Sequence, residues 1–229
     1  MVNFTEKLDA NMRDDWASHY IDYRLLKKAM KPKAAPSHPQ TPDISSTLKE
    51  PLLNMSNQAA HSFRAELDAQ RDKVQSFYES ELQRLSERQH VLLIQLARAD
   101  SLGSGERSSV TRAATDLFRT LHYLRNFCIL NYTGLLKAAK KFDKKVSPSE
   151  LLLTDSKAEM DELSFVQNQE IDILSNKLVS AFAWAFCEGS LQVAHSTLLL
   201  RKERPAARPL LSLGMRLGFA FSLLMWIAW

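Results

Sequence analysis

With 229 residues, 45% of them hydrophobic, the chain has room for a true core in one or two domains. A formal charge of +4 is too small for a general nucleic-acid binder, and no RNP motif, zinc-finger spacing or basic zipper is present, so no nucleic-acid partner is expected. Two cysteines, Cys128 and Cys187, make no disulfide framework, which points to a reducing, cytosolic face.

The first residues, MVNFTEKLDANMRDDW, carry too much charge and too short an apolar run for a signal peptide. Asp14 and Asp15 precede a helical stretch in which Trp16, Tyr20, Tyr23 and Lys27 recur at i, i+4, i+7 and i+11, along one stripe. Residues 31–58 hold five of the eight prolines among Ser, Thr and Lys, a composition that predicts a disordered insertion. A long helix is then predicted from about Ala59 to Asp100, its stripe marked by Leu67, Val74, Tyr78, Leu82, Leu85, Leu92 and Leu96. SLGSGERSS interrupts it with two glycines. A second long helix is predicted from about Ser109 to Val146, with Leu117, Leu121, Leu124, Cys128, Leu135 and Phe142 inward and Cys128 acting as a small buried hydrophobe. The short connection makes the pair an antiparallel hairpin.

Ser147-Pro148-Ser149-Glu150 has the form of a capping box with proline at the first helical position. A further helix is predicted over 157–188, with Leu163, Val166, Leu174, Leu178 and Ala181 on one side, and Gly189 either ends or weakens it. From Leu210 to Trp229 run twenty mostly apolar residues broken by Arg216, which read as the first part of a transmembrane helix. Arg201, Lys202, Arg204 and Arg208 immediately upstream place that side in the cytoplasm. The abrupt ending suggests a shortened chain. No segment shows strand alternation, so the expected class is all-α.

The densest signal is NYTGLLKAAKKFDKK, residues 131–145, where five lysines fall within nine residues and only Asp143 offsets them. At about 100° per residue, Lys137, Lys140 and Lys144 share an arc of roughly 60°, with Lys141 flanking it and Leu135 and Phe142 opposite. Such a run is commonly just a solvated face. A lysine arc backed by an apolar face is also what a compact polyanion requires, provided cations reach it from a second element. The segment YIDYRLLKK, residues 20–28, can supply that side, since Tyr23 and Lys27 at i, i+4 present a hydroxyl and an ammonium together.

Catalysis finds no support. His19, His38, His61, His90, His122 and His195 are scattered without metal-ligand spacing, and no G-x-S-x-G, P-loop or Rossmann fingerprint occurs. The expectation is a binding protein rather than an enzyme, with no metal and no cofactor.

An M-x-x-F start, a tryptophan, YIDYRLLKK, a proline-bearing spacer, a long helix with FYESEL, and then LRNFCILNYTGLLKAAKKFDKK together resemble the SPX domain over residues 1 to about 150. The resemblance implies an SPX-type helical bundle with an N-terminal helical hairpin, a three-helix core and two long antiparallel helices. It also implies binding of inositol polyphosphates and pyrophosphates, and so a report of phosphate status. Residue by residue, Tyr23, Lys27 and Lys141 match the family's phosphate-binding cluster, while Lys137, Lys140 and Lys144 match its neighbouring lysine surface. The family often begins Met-Lys-Phe-Gly-Lys, where this chain has Val2, Asn3, Thr5 and Glu6. FYESEL, a late helix with Phe182, Phe186 and Gly189, a basic stretch and LGMRLGFAF resemble the eukaryotic SPX–EXS phosphate exporters. Where those carry Asn-Arg after the glycine, this chain has Ser190-Leu191. The implied organisation is an SPX domain over 1–190, a basic juxtamembrane linker over 191–209 and the start of a membrane span over 210–229, with no EXS domain. Protein partners through the SPX domain are also implied. The rival readings are a free SPX regulator, the SPX domain of another transporter, or that of a polyphosphate polymerase.

Overall fold

The structure, a computed structural model, describes residues 4–30, 49–145 and 152–200. Among the described residues there are eight α-helices, two short 3-10 turns and no strand. In chain order the helices are α1 (Phe4–Asn11), α2 (Tyr23–Ala29), α3 (Lys49–Ala97), α4 (Ser104–Lys145), α5 (Leu152–Asp161), α6 (Ser164–Gln167), α7 (Gln169–Phe186) and α8 (Leu191–Leu200).

The spine is α3 against α4, about 70 Å and about 60 Å long at 1.5 Å per residue. Phe63 stacks on Phe142 with centroids 4.4 Å apart, and Phe77 lies 5.0 Å from Phe127. Advancing along α3 therefore means retreating along α4, the antiparallel hairpin its periodicity predicts. Leu67, Val74, Tyr78, Leu85 and Leu92 on α3 face Leu117, Leu121, Leu124, Cys128 and Leu135 on α4 in one continuous buried cluster. Both cysteines are free, and Cys128 is 1% exposed.

Several boundaries differ from the sequence reading, each for a local reason. α3 begins at Lys49, ten residues inside the expected insertion. The added residues are mostly good helix formers extending an existing helix, and Pro51 falls in the first turn, where its missing N–H costs nothing. α4 begins at Ser104 rather than Ser109 because Glu106 accepts a hydrogen bond from the Gly103 N–H at 3.0 Å, closing the helix start. The predicted 157–188 helix is broken into α5, α6 and α7. At the second break Asn168 takes φ 54°, a left-handed conformation asparagine tolerates, and its Nδ2 donates to the Val166 carbonyl at 3.0 Å. Glu188 and Gly189, at φ 52° and 83°, turn the chain after α7. Residues 191–200, expected in a linker, form α8, which buries Ala194 and Leu198 and packs on α4 and α7.

The stripe Trp16–Tyr20–Tyr23–Lys27 is not one helix. A 3-10 turn covers Asp14–His19, Tyr20 is extended, and α2 starts afresh at Tyr23. The remainder of the insertion (31–48), Ser147–Glu150, the basic residues Arg201 to Arg208 and the apolar segment 210–229 lie outside the described residues. Among the described residues no helix is long and apolar enough to cross a membrane.

Candidate functional site

The start of α2 is held by side chains from both long helices. Asn131, fully buried on α4, accepts the Ile21 N–H at 2.8 Å and donates its Nδ2 to the Phe127 carbonyl at 2.7 Å. Gln70 on α3 accepts the Asp22 N–H at 2.9 Å and donates to Glu66 at 2.9 Å. These two amides take N–H groups that a continuous helix would have used, which is why the helix breaks here. Asp22 then caps α2, accepting from the N–H groups of Arg24 at 2.9 Å and Leu25 at 2.8 Å.

Beneath this segment lies Gly134. A Cβ there would stand 2.2 Å from Ile21 Cδ1 and 2.9 Å from Phe4 Cε1, so α1 and the chain before α2 approach α4 through a gap only glycine leaves. Arg24 meets Asp9 at 3.1 Å and the Lys27 Nζ donates to Thr5 Oγ1 at 3.1 Å. These pairings run α1 and α2 antiparallel, as a small N-terminal hairpin.

Its seating brings cations from two elements to one place. The rings of Phe4 and Tyr23 meet edge to face at 5.0 Å. The Lys27 ammonium lies 5.1 Å from the Tyr23 centroid, and the Lys137 ammonium 4.5 Å from the Phe4 centroid. Lys141, seven residues from Gly134 and hence on nearly the same face of α4, is half-buried. Lys137, Lys140 and Lys144 are exposed. Behind them Ala138, Ala139 and Phe142 are buried, so the helix carrying the lysines is fixed to the core. Burial raises the Tyr23 phenol above its ordinary pKa, keeping it a neutral donor at physiological pH.

The structure thus joins Tyr23, Lys27 and Lys137 in one set of contacts, and it places Lys140, Lys141 and Lys144 along the next two turns of α4. Like charges at i, i+3 and i+4 repel. A compact anion against this face relieves that repulsion on both sides at once. The sequence alone assigned no structural role to the residues that build the site, namely Phe4, Thr5, Gln70, Asn131 and Gly134. The clearest signal was available: Asn131 sits in the apolar stripe of α4 between Cys128 and Leu135, and Gln70 in that of α3 between Leu67 and Val74. A polar side chain in such a stripe needs a partner. Among the described residues no group of acidic, histidine or cysteine side chains could hold a metal ion.

Residues 100–150, which carry the lysine face, match the family model for the SPX domain. Over that segment the chain is similar to the SPX domain, and its relatives are SPX domain-containing proteins. An SPX domain-containing membrane protein of Oryza sativa subsp. indica is 28% identical over 152 residues, covering 63% of this chain and 19% of its own length. SPX domain-containing protein 2 of Arabidopsis thaliana is 27% identical over 137 residues, covering 57% of this chain and 47% of its own. The chain therefore spans less than half the length of either relative. Among solved structures, the SPX domain of Chaetomium thermophilum glycerophosphodiester phosphodiesterase 1, determined in complex with inositol hexakisphosphate, resembles this one with a TM-score of 0.57. At 22% identity over 77% of this chain and 99% of that one, the likeness establishes a shared SPX fold.

Proposed function

We propose that the chain is a sensor module that binds inositol polyphosphates and pyrophosphates and serves phosphate homeostasis. The observation that carries this reading is the convergence of Lys27 from α2 and Lys137 from α4 on the touching rings of Tyr23 and Phe4, with three more lysines continuing along α4. The Chaetomium domain of the same fold, solved with inositol hexakisphosphate, supports the ligand class. In this reading Tyr23, Lys27 and Lys141 contact the phosphates while Lys137, Lys140 and Lys144 supply the surrounding field. The chain is a binding module and performs no reaction.

Binding would draw α1 and α2 against α4, and a ligand shifts such an equilibrium only through its differential affinity for the two states. We further infer that the module regulates a phosphate exporter of the SPX–EXS type, with the SPX domain facing the cytoplasm and 210–229 entering a membrane. Support comes from FYESEL on α3, from Phe182 and Phe186 packed 5.2 Å apart on α7, and from the basic-then-apolar sequence after residue 200. Relatives named as SPX membrane proteins are compatible with it.

The test is calorimetric titration of the full chain with an inositol pyrophosphate and with inositol hexakisphosphate, at two salt concentrations, with inorganic phosphate as control. Binding at or below about micromolar strength that weakens with salt and is lost in Lys141→Ala is the expected result. Absence of binding by a folded chain would leave a helical scaffold with a solvated lysine face. Phosphate release from liposomes by this polypeptide alone would refute a purely regulatory role.

A further inference from the structure

Lys27 and Lys137 belong to different helices, yet each ammonium lies over one ring of the same aromatic pair, at 5.1 Å from Tyr23 and 4.5 Å from Phe4. Phe4 is the shared member on the α1 side. It is 8% exposed, touches Tyr23 edge to face, and rests on Gly134, where a Cβ would stand 2.9 Å from its Cε1 and 3.1 Å from its Cζ. The ring is therefore wedged between α2 and α4 and cannot turn away. A lysine on a flexible four-carbon stem samples many rotamers when exposed, and ordering it costs entropy. A cation over a fixed ring face is drawn to the ring's negative quadrupole, which narrows that sampling.

We propose that Phe4 is a positioning residue of the polyanion site, holding the Lys137 ammonium toward Lys27 so that seating α1 on α4 assembles a two-sided cation pair. The inference rests on the polyanion reading above and adds to it a residue that touches no phosphate and acts through Lys137. It couples α1 to the ligand: whatever recruits Lys137 and Lys27 together also favours the docked α1, and whatever releases α1 disperses the pair.

The experiment is calorimetric titration of the full chain with inositol hexakisphosphate for wild type, Phe4→Leu, Lys137→Ala and the double variant. Leucine keeps an apolar contact over Gly134 but offers no ring face. Phe4→Leu should weaken binding about three- to five-fold, and should weaken it no further in the Lys137→Ala background. Equal weakening in both backgrounds would mean that Phe4 only packs α1, and the inference fails. Should Phe4→Leu lose its helical circular dichroism, pentafluorophenylalanine at position 4 preserves the shape and reverses the ring's electrostatics. It should reproduce the loss, and wild-type affinity would overturn the inference. In the ligand-free chain the ring current of Phe4 should move the Lys137 side-chain methylene protons upfield, and their lying at random-coil positions would overturn it without reference to any ligand. A wild type that shows the upfield shift but does not bind overturns the polyanion reading together with this inference. A wild type that binds with an additive cycle overturns the inference alone.

Discussion

Asn131 and Gly134 illustrate how much one turn of α4 decides. Asn131 makes two buried hydrogen bonds, and Asn131→Ala leaves the Ile21 N–H without its partner. That orphaned group should cost about 1–3 kcal/mol in urea denaturation, and polyanion affinity should fall although Asn131 is not among the cations. Gly134→Ala has two opposed effects. Alanine gains about 1 kcal/mol of helix propensity, but its methyl would have to displace Ile21 and the Phe4 ring from a packed contact, an overpacking cost of about 1–3 kcal/mol. The balance should be a small loss of stability with a larger loss of amide-exchange protection in α1, which hydrogen exchange would resolve. Cys128 offers a third check. Burial pushes its thiol up to about 12, so at pH 8 a thiol reagent should label the more accessible Cys187 and reach Cys128 only on unfolding.

Among elements, α5 is bound by polar contacts on two sides. Glu159 meets Arg64 at 3.3 Å and Arg71 at 3.4 Å on α3, and Asp161 accepts the Tyr132 hydroxyl at 2.6 Å on α4. The arginine pairs are exposed enough that Glu159→Gln should change stability by less than about 1 kcal/mol. Tyr132 has a pH signature: desolvation first, then its bond to Asp161, raise its phenol above the ordinary tyrosine value to about 12. A phenol with a raised pKa contributes stability fully present below pH 10 and lost as pH climbs through 12. Tyr20, Tyr23 and Tyr78 are raised by burial and act with the same sign. Chemical denaturation between pH 9 and 12 should therefore show falling stability, with a shallower fall in Tyr132→Phe. The two long helices and their facing stripes were legible in the sequence because a 3.6-residue period persists over many turns. The hairpin that completes the site was not legible in the same way. Its break at Tyr20–Asp22 is imposed by Gln70 and Asn131, residues far along the chain, and no local pattern encodes a hydrogen bond across that distance.

For the molecule as a whole, charge is the quantity that matters, and it is local. The net charge is only +4 while five lysines crowd the end of α4. Polyanion binding should therefore weaken steeply with salt, whereas inorganic phosphate, too small to reach both helices, should show little affinity at either salt concentration. That lysine face and the C-terminal hairpin of α7 and α8 share one helix: His195 of α8 meets Phe118 at 5.5 Å, and Lys140 lies about 33 Å further along α4 at 1.5 Å per residue. A continuous helix of that length is a stiff lever. If the lysine end swings by about 5°, the far end travels about 3 Å without any bond within α4 being remade. The gain of that lever is its residue count, so lengthening α4 would alter the throw, and inserting a single residue would also turn the lysines by about 100° relative to the C-terminal hairpin.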